Sequence, residues 1–188
     1  MRTLGILLAV SLATAMAQDK AKQGKMPPPP PLKLSIAAFS DGGDIPVKFT
    51  CSAQPSAVSP AMQWSMVPNG TVTFAMIMHD PDVAMRKSPD DVIHWMWWNV
   101  PASATGLPEG VPTTAEIPGG GVQGNNVSGK PGFFGPCPPP TSPHHYTFEL
   151  YALDTKLDLA PSASRPDLLK AMEGHILSKA VYIGMFHR

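Results

Sequence analysis

From Leu32 onward the apolar positions recur every second residue. Leu34, Ile36 and Ala38 alternate with polar or small neighbours, and Val72, Phe74, Met76 and Met78 do the same. A third run, Tyr146, Phe148, Leu150 and Ala152, interleaves with Thr147, Glu149 and Tyr151. A period of two is that of a strand with one buried face, so these runs predict strands. Asp41-Gly42-Gly43-Asp44 and Pro68-Asn69-Gly70 between them predict turns. One segment changes period. Ser164-Arg165-Pro166-Asp167 supplies a cap and an N-terminal proline ahead of Leu169, Met172 and Ile176 at helical spacing. This predicts a helix ending near Ser178. Val181, Ile183 and Met185 then return to alternation and predict a short closing strand. The pattern is that of a mostly β chain with a C-terminal helix followed by a short strand.

The first 31 residues do not share this pattern. Arg2 precedes an apolar run from Leu4 to Leu12, and Ala15-Met16-Ala17 has the small-x-small form of a cleavage site. Residues 1–17 therefore read as a signal peptide, because the run is too short for the roughly 20 apolar residues of a membrane span. Residues 18–31 are polar and then carry five consecutive prolines from Pro27, the composition of a semi-rigid linker. Residues 32–188 form the expected single domain. Export implies a secreted or periplasmic location. Cys51 and Cys137, the chain's two cysteines, then have two uses: one disulfide across a long loop, or packing within their own motifs. With 14 acidic and 14 basic residues there is no global field to attract nucleic acid, so any selectivity for anions has to be local.

Three loop-to-strand junctions carry ionisable groups. His79-Asp80-Pro81-Asp82 follows the run ending at Met78, which places two carboxylates at a strand terminus. His94 opens Trp95-Met96-Trp97-Trp98, where alternation puts His94, Met96 and Trp98 on one face and Trp95 and Trp97 on the other. His144-His145-Tyr146 follows the proline-rich Gly135-Pro136-Cys137-Pro138-Pro139-Pro140. The stretch from Thr105 to Thr141 is long, aperiodic and rich in glycine and proline, and loops of that length are commonly functional.

In this order the pieces resemble the phosphatidylethanolamine-binding proteins, in particular their bacterial Raf-kinase-inhibitor-like branch. The likeness runs from about Leu34 to Arg188 and includes Phe49-Thr50-Cys51, Asp80-Pro81-Asp82, His94-Trp95, Asn99-Val100-Pro101, Gly135-Pro136-Cys137 and His144-His145-Tyr146. The resemblance implies antiparallel β-sheets with peripheral helices and a pocket for phosphate-like anions or phospholipid headgroups. Asp80, His94, Gly135, Pro136, His144 and Tyr146 occupy the pocket positions, with Asp82 and His145 in support. The residues agree with that chemistry, since imidazoles and a phenol can donate to anionic oxygens. Two departures stand out: Ala84 where the family usually has proline, and His145 where it usually has arginine. The second exchanges a permanent, bidentate cation for a group whose charge depends on pH.

No serine, threonine or cysteine is tied by motif to a histidine and a carboxylate, so a binding protein without catalysis or cofactor is expected. Its partner would be a small anionic ligand or phospholipid headgroup, with a modulating role toward an unidentified protein also open. The second reading is a metal-binding exported protein using His, Asp and Met donors, although the spacings match no closed zinc motif. Export has a direct test: mass spectrometry of the mature protein is expected to find Gln18 as its first residue. Intact Met1 in the exported fraction would contradict the reading.

Overall fold

The computed structural model describes residues 31–84 and 89–188; the signal-peptide segment and the linker before Pro31 lie outside the described residues. Two sheets make up the domain. β1 (Lys33–Ser35), β3 (Met62–Ser65) and β6 (Gly106–Leu107) form a small antiparallel sheet in the order β1-β3-β6. β2 (Gly43–Asp44), β4 (Thr73–Asp80), β5 (Val92–Pro101), β7 (Val122–Gln123), β8 (His144–Leu153) and β9 (Ile176–Phe186) form the larger one. Its order is β2-β9-β8-β4-β5-β7, antiparallel except where β2 meets β9. A single α-helix, α1 (Arg165–Met172), and a 3-10 turn at Val47–Phe49 complete the regular structure of the described residues.

The alternation in the sequence sorts residues between two cores. Phe74, Met76 and Met78 of β4 join Phe148 and Leu150 of β8 and Trp97 of β5, and these meet Trp64 and Leu34 from the small sheet. Ala75 and Ile77 point the other way, to Trp98, Leu153, and the buried face of α1 at Leu168 and Met172. β4 thus lies between two covered faces, and all eight of its residues are buried. Its neighbours supply the ladder on both edges, so neither face nor edge of this strand meets water.

At the C-terminal end the structure moves a boundary. Periodicity carried the helix to about Ser178, but α1 stops at Met172, and Gly174 turns the chain with φ +79°. Ile176 and Ser178 pair instead with Leu153 and Ala152 of β8. The ladder engages backbone donors and acceptors of a strand already committed to β8, and only glycine makes the left-handed turn into it cheaply. The closing strand consequently runs 11 residues. The start of the helix is as expected: Ser164 and Asp167 form a reciprocal capping box, with Pro166 in the first turn.

A disulfide joins Cys51 to Cys137, 86 residues apart in sequence. Closing a loop of that length restricts the unfolded chain by about 4 to 5 kcal/mol in the entropic model. Replacing both cysteines by serine is therefore expected to lower the unfolding free energy by several kcal/mol in urea titrations. An unchanged midpoint and slope would mean that the crosslink contributes nothing.

Candidate functional site

Asp80 is the last residue of β4, two residues beyond where the run of apolar alternation ends. Its side chain accepts from the Asp82 backbone N–H at 3.0 Å through Oδ1, tightening the turn, and from His144 Nδ1 at 2.8 Å through Oδ2. Both members of that pair are buried, Asp80 at 2% exposure and His144 at 7%. A carboxylate only accepts, so the His144 proton sits on Nδ1.

His94 reaches the same place by an irregularity. Regular alternation would put it beside Met96 and Trp98. Instead Met78 pairs with Trp95 while His79 pairs with Ile93, so one step on β4 spans two on β5 and His94 is the extra residue of a β-bulge. The bulge turns the imidazole to the face of Tyr146, whose ring meets it edge-on at 5.1 Å. His94 Nδ1 donates to the Phe134 carbonyl at 2.9 Å, and the Phe134 N–H returns a bond to the His94 carbonyl at 2.8 Å. The side-chain hydrogen bonds of both rings run through Nδ1, and the Gly135 backbone also lies close to the His94 ring.

The loop carrying Phe134 is strapped to the body of the protein. A Cβ on Gly135 would lie 2.9 Å from the Phe49 carbonyl oxygen, so only glycine allows this approach. Pro136 accepts from the Cys51 N–H at 3.0 Å, and the disulfide follows at the next residue. Gly135 and Pro136 are thus brought beside His94 by contacts with the Phe49–Cys51 segment. Tyr146 is fully buried, and its hydroxyl has no hydrogen-bond partner among the described residues. His145, next along β8, faces outward and pairs with Asp82, which accepts from its backbone N–H at 2.6 Å and its Nδ1 at 2.8 Å.

Burial is the largest influence on His94 and holds its pKa below the ordinary histidine value, against the opposing pull of the Phe134 carbonyl and the Asp80 charge. Burial, joined by the Asp80 charge, raises the Tyr146 phenol well above its usual range, so it stays protonated. Burial pushes Asp82 upward, but the hydrogen bonds and charge of His145 outweigh it and leave the carboxyl below its usual value.

Periodicity did not reveal a second charged network on the opposite face of the large sheet. His79, one residue before Asp80, donates from Nδ1 to Asp91 at 2.6 Å, and Asp91 is also paired with Arg165 of α1. The far ring nitrogen of His79 is buried 3.9 Å from Glu149, which is paired with Lys179 and accepts from the Tyr151 hydroxyl at 2.7 Å. A cleft of about 430 Å³ beside this network is lined by Asp91, Ile93, Met96, Asn126, Ser164 and Arg165. Polar residues at every second position of β8 were its only trace in sequence.

A two-sheet β domain with a histidine–carboxylate pair and a glycine–proline loop at one end of the larger sheet is the architecture of a ligand-binding class of protein. Residues 35–187 match the family model described as phosphatidylethanolamine-binding protein. The chain belongs to the phosphatidylethanolamine-binding protein family. It is 46% identical over 158 residues to a UPF0098 protein of Methanothermobacter thermautotrophicus, covering 84% of this chain and 99% of that one. Among solved structures it resembles a phosphatidylethanolamine-binding protein homologue from Chlamydia trachomatis, with TM-score 0.74, 35% identity, and coverage of 84% of this chain and 98% of that one. It also resembles E. coli YbcL, described as a member of the mammalian family, with TM-score 0.73, 29% identity, and coverage of 85% and 99%.

The depressed pKa of His94 has a definite sign in stability. The unfolded ring takes up its proton near pH 6.5 and the folded ring only at lower pH, so this group's contribution to stability falls as pH drops below about 6.5. Nitrogen-detected NMR is expected to show the His94 Nδ1–H form persisting below that pH. A midpoint at or above 6.5 would contradict the burial argument.

Proposed function

We propose that this is an exported binding protein for phosphate-like anions, free or as phospholipid headgroups, with Asp80, His94, Gly135, Pro136, His144 and Tyr146 forming the site. One observation carries the reading. Two buried imidazoles have Nδ1 fixed by protein acceptors, which leaves Nε2 as the nitrogen for a ligand, beside a buried phenol hydroxyl that makes no hydrogen bond of good geometry among the described residues. Neutral rings held in this tautomer present an acceptor at Nε2, which suits a ligand that brings its own proton. Protonated rings present charged donors to a fully ionised one. Binding of a diester or sulfate is therefore coupled to proton uptake.

What surrounds the imidazoles supports a reading of binding rather than catalysis. Cys137 is in a disulfide, and the Thr50 hydroxyl donates to the Val47 carbonyl, so neither is poised as a nucleophile. No helix among the described residues is long and apolar enough to cross a membrane. Secretion or delivery to the periplasm rests on the sequence of residues 1–17, and a modulating role toward another protein rests on the family resemblance.

The test is calorimetry with sulfate and with glycerophosphoethanolamine, a soluble headgroup diester, at pH 5.5 and 7.5. Affinity for sulfate is expected to rise at the lower pH. His94→Ala and His144→Ala are each expected to weaken binding by about 1 to 3 kcal/mol, and His175→Ala to change little. Preference for the diester over sulfate would point to a headgroup, and equal affinity to free anions. Equal binding by all variants would show that these rings do not form the site.

A further inference from the structure

Asp80 and Asp82 converge on one histidine. An oxygen of each carboxylate and a ring nitrogen of His144 all lie within 4.8 Å of one another. Among the described residues no lysine or arginine is ion-paired with either aspartate; their partners are the adjacent histidines. Two carboxylates that are paired, among the described residues, only with imidazoles can hold a cation. A second observation points into the same space. The Tyr146 hydroxyl is fully buried and, among the described residues, makes no hydrogen bond of good geometry, although the Asp80 carboxylate and the Cys137 backbone lie near it and the charges of both Asp80 and Asp82 act on it. A polar group so placed has a hydrogen bond to give to an oxygen bound between them.

We infer that Asp80, Asp82 and His144 form a site for one divalent transition-metal ion, of the Mn2+ or Zn2+ class. The donor set selects that class: two carboxylates alone suit Mg2+ or Ca2+, whereas an added imidazole favours a borderline ion. The geometry is close to what such an ion needs. Ligand atoms at about 2.0–2.2 Å from one ion lie at most about 4.4 Å apart, so a small closure of the Asp82 turn suffices. His144 Nδ1 and Asp80 Oδ2, at 2.8 Å, already have the separation of two adjacent ligands on one ion. The ion takes the place of the proton between them. That proton moves to Nε2, so the neutral ring changes from an acceptor to a donor on its open side, with no change in total protons. Three protein ligands leave coordination positions for water or an anion, and Tyr146 donates to the oxygen that occupies one of them.

The corollary, that the bound ion recruits the anion, rests on the function proposed above; the metal site itself does not. The experiment titrates Mn2+ and Zn2+ into the untagged full chain, stripped with chelator, in buffer free of phosphate and citrate. One ion per chain is expected. Asp82→Asn and His144→Gln are expected to weaken it at least tenfold, and His175→Gln to leave it unchanged. Pulsed EPR of the Mn2+ form is expected to show coupling to one imidazole nitrogen, a readout available even if one variant folds poorly. Sulfate is then titrated with and without the ion, and is expected to bind at least tenfold tighter with it. Absence of saturable 1:1 binding at millimolar metal, or binding indifferent to Asp82→Asn, overturns the inference. If sulfate nevertheless binds the chelated protein through His94 and His144, the function proposed above survives that failure. If metal binds and sulfate does not in either state, the metal site stands and the anion reading falls.

Discussion

The extra residue that β5 carries at His94 decides which side of the sheet the site is built on. Without the bulge between Met78/Trp95 and His79/Ile93, the imidazole would follow Met96 and Trp98 into the apolar layer beneath α1. A histidine there would face Ile77 and Leu168 rather than Tyr146, and its nitrogens would lose the Phe134 carbonyl. Leaving such a polar group unpaired in an apolar interior costs on the order of 1 to 3 kcal/mol. The bulge avoids this by placing His94 and Trp95 toward the same side. Trp95 remains in the main core, where its indole N–H donates to Gln123 at 2.6 Å, while His94 reaches the polar end. Everything else at the site, including the strapped Gly135-Pro136 loop, is arranged around a ring that has first been turned the right way.

Electrostatically the site is better described as a set of directed hydrogen bonds than as a basic pocket. Each buried imidazole has one nitrogen committed to an oxygen that accepts, and that commitment fixes what the other nitrogen can offer. Burial of His94 opposes its charge, and the carboxylates of Asp80 and Asp82 oppose the entry of any bare anion. On the function proposed above, a proton or a cation accompanies the anion into this space. The opposite face repeats the arrangement with His79 set between Asp91 and Glu149, but there Arg165 and Lys179 already complete the balance.

Much of this was legible in the sequence. Alternation in β4, β8 and the end of β9 marks real faces, and the ordered motifs bring Asp80, His94, His144 and Tyr146 to one end of the sheet. The exceptions have physical causes. Periodicity assumes one residue per step, so it placed His94 on the wrong face at a bulge. Ile176 fits a helical period after Leu169 and Met172, yet the ladder with β8 claims it once Gly174 has turned the chain. Phe134 acts through its carbonyl, which any residue possesses, so its role left no trace in residue type. The pairing of Cys51 with Cys137 depended on the loop geometry around Gly135, which periodicity does not report.

The link between Cys51 and Cys137 also alters what kind of object the chain is. It makes residues 51–137 a covalent ring, with 50 residues before it and 51 after it. Asp80, His94, Gly135 and Pro136 belong to the ring, whereas His144 and Tyr146 belong to the tail that lies beside it as β8. A single peptide cut in the glycine- and proline-rich stretch after β6 would open the ring without dividing the molecule. The two halves of the site would still belong to one covalent body. With the thiols reduced, the same cut would leave two fragments held together only by the sheet.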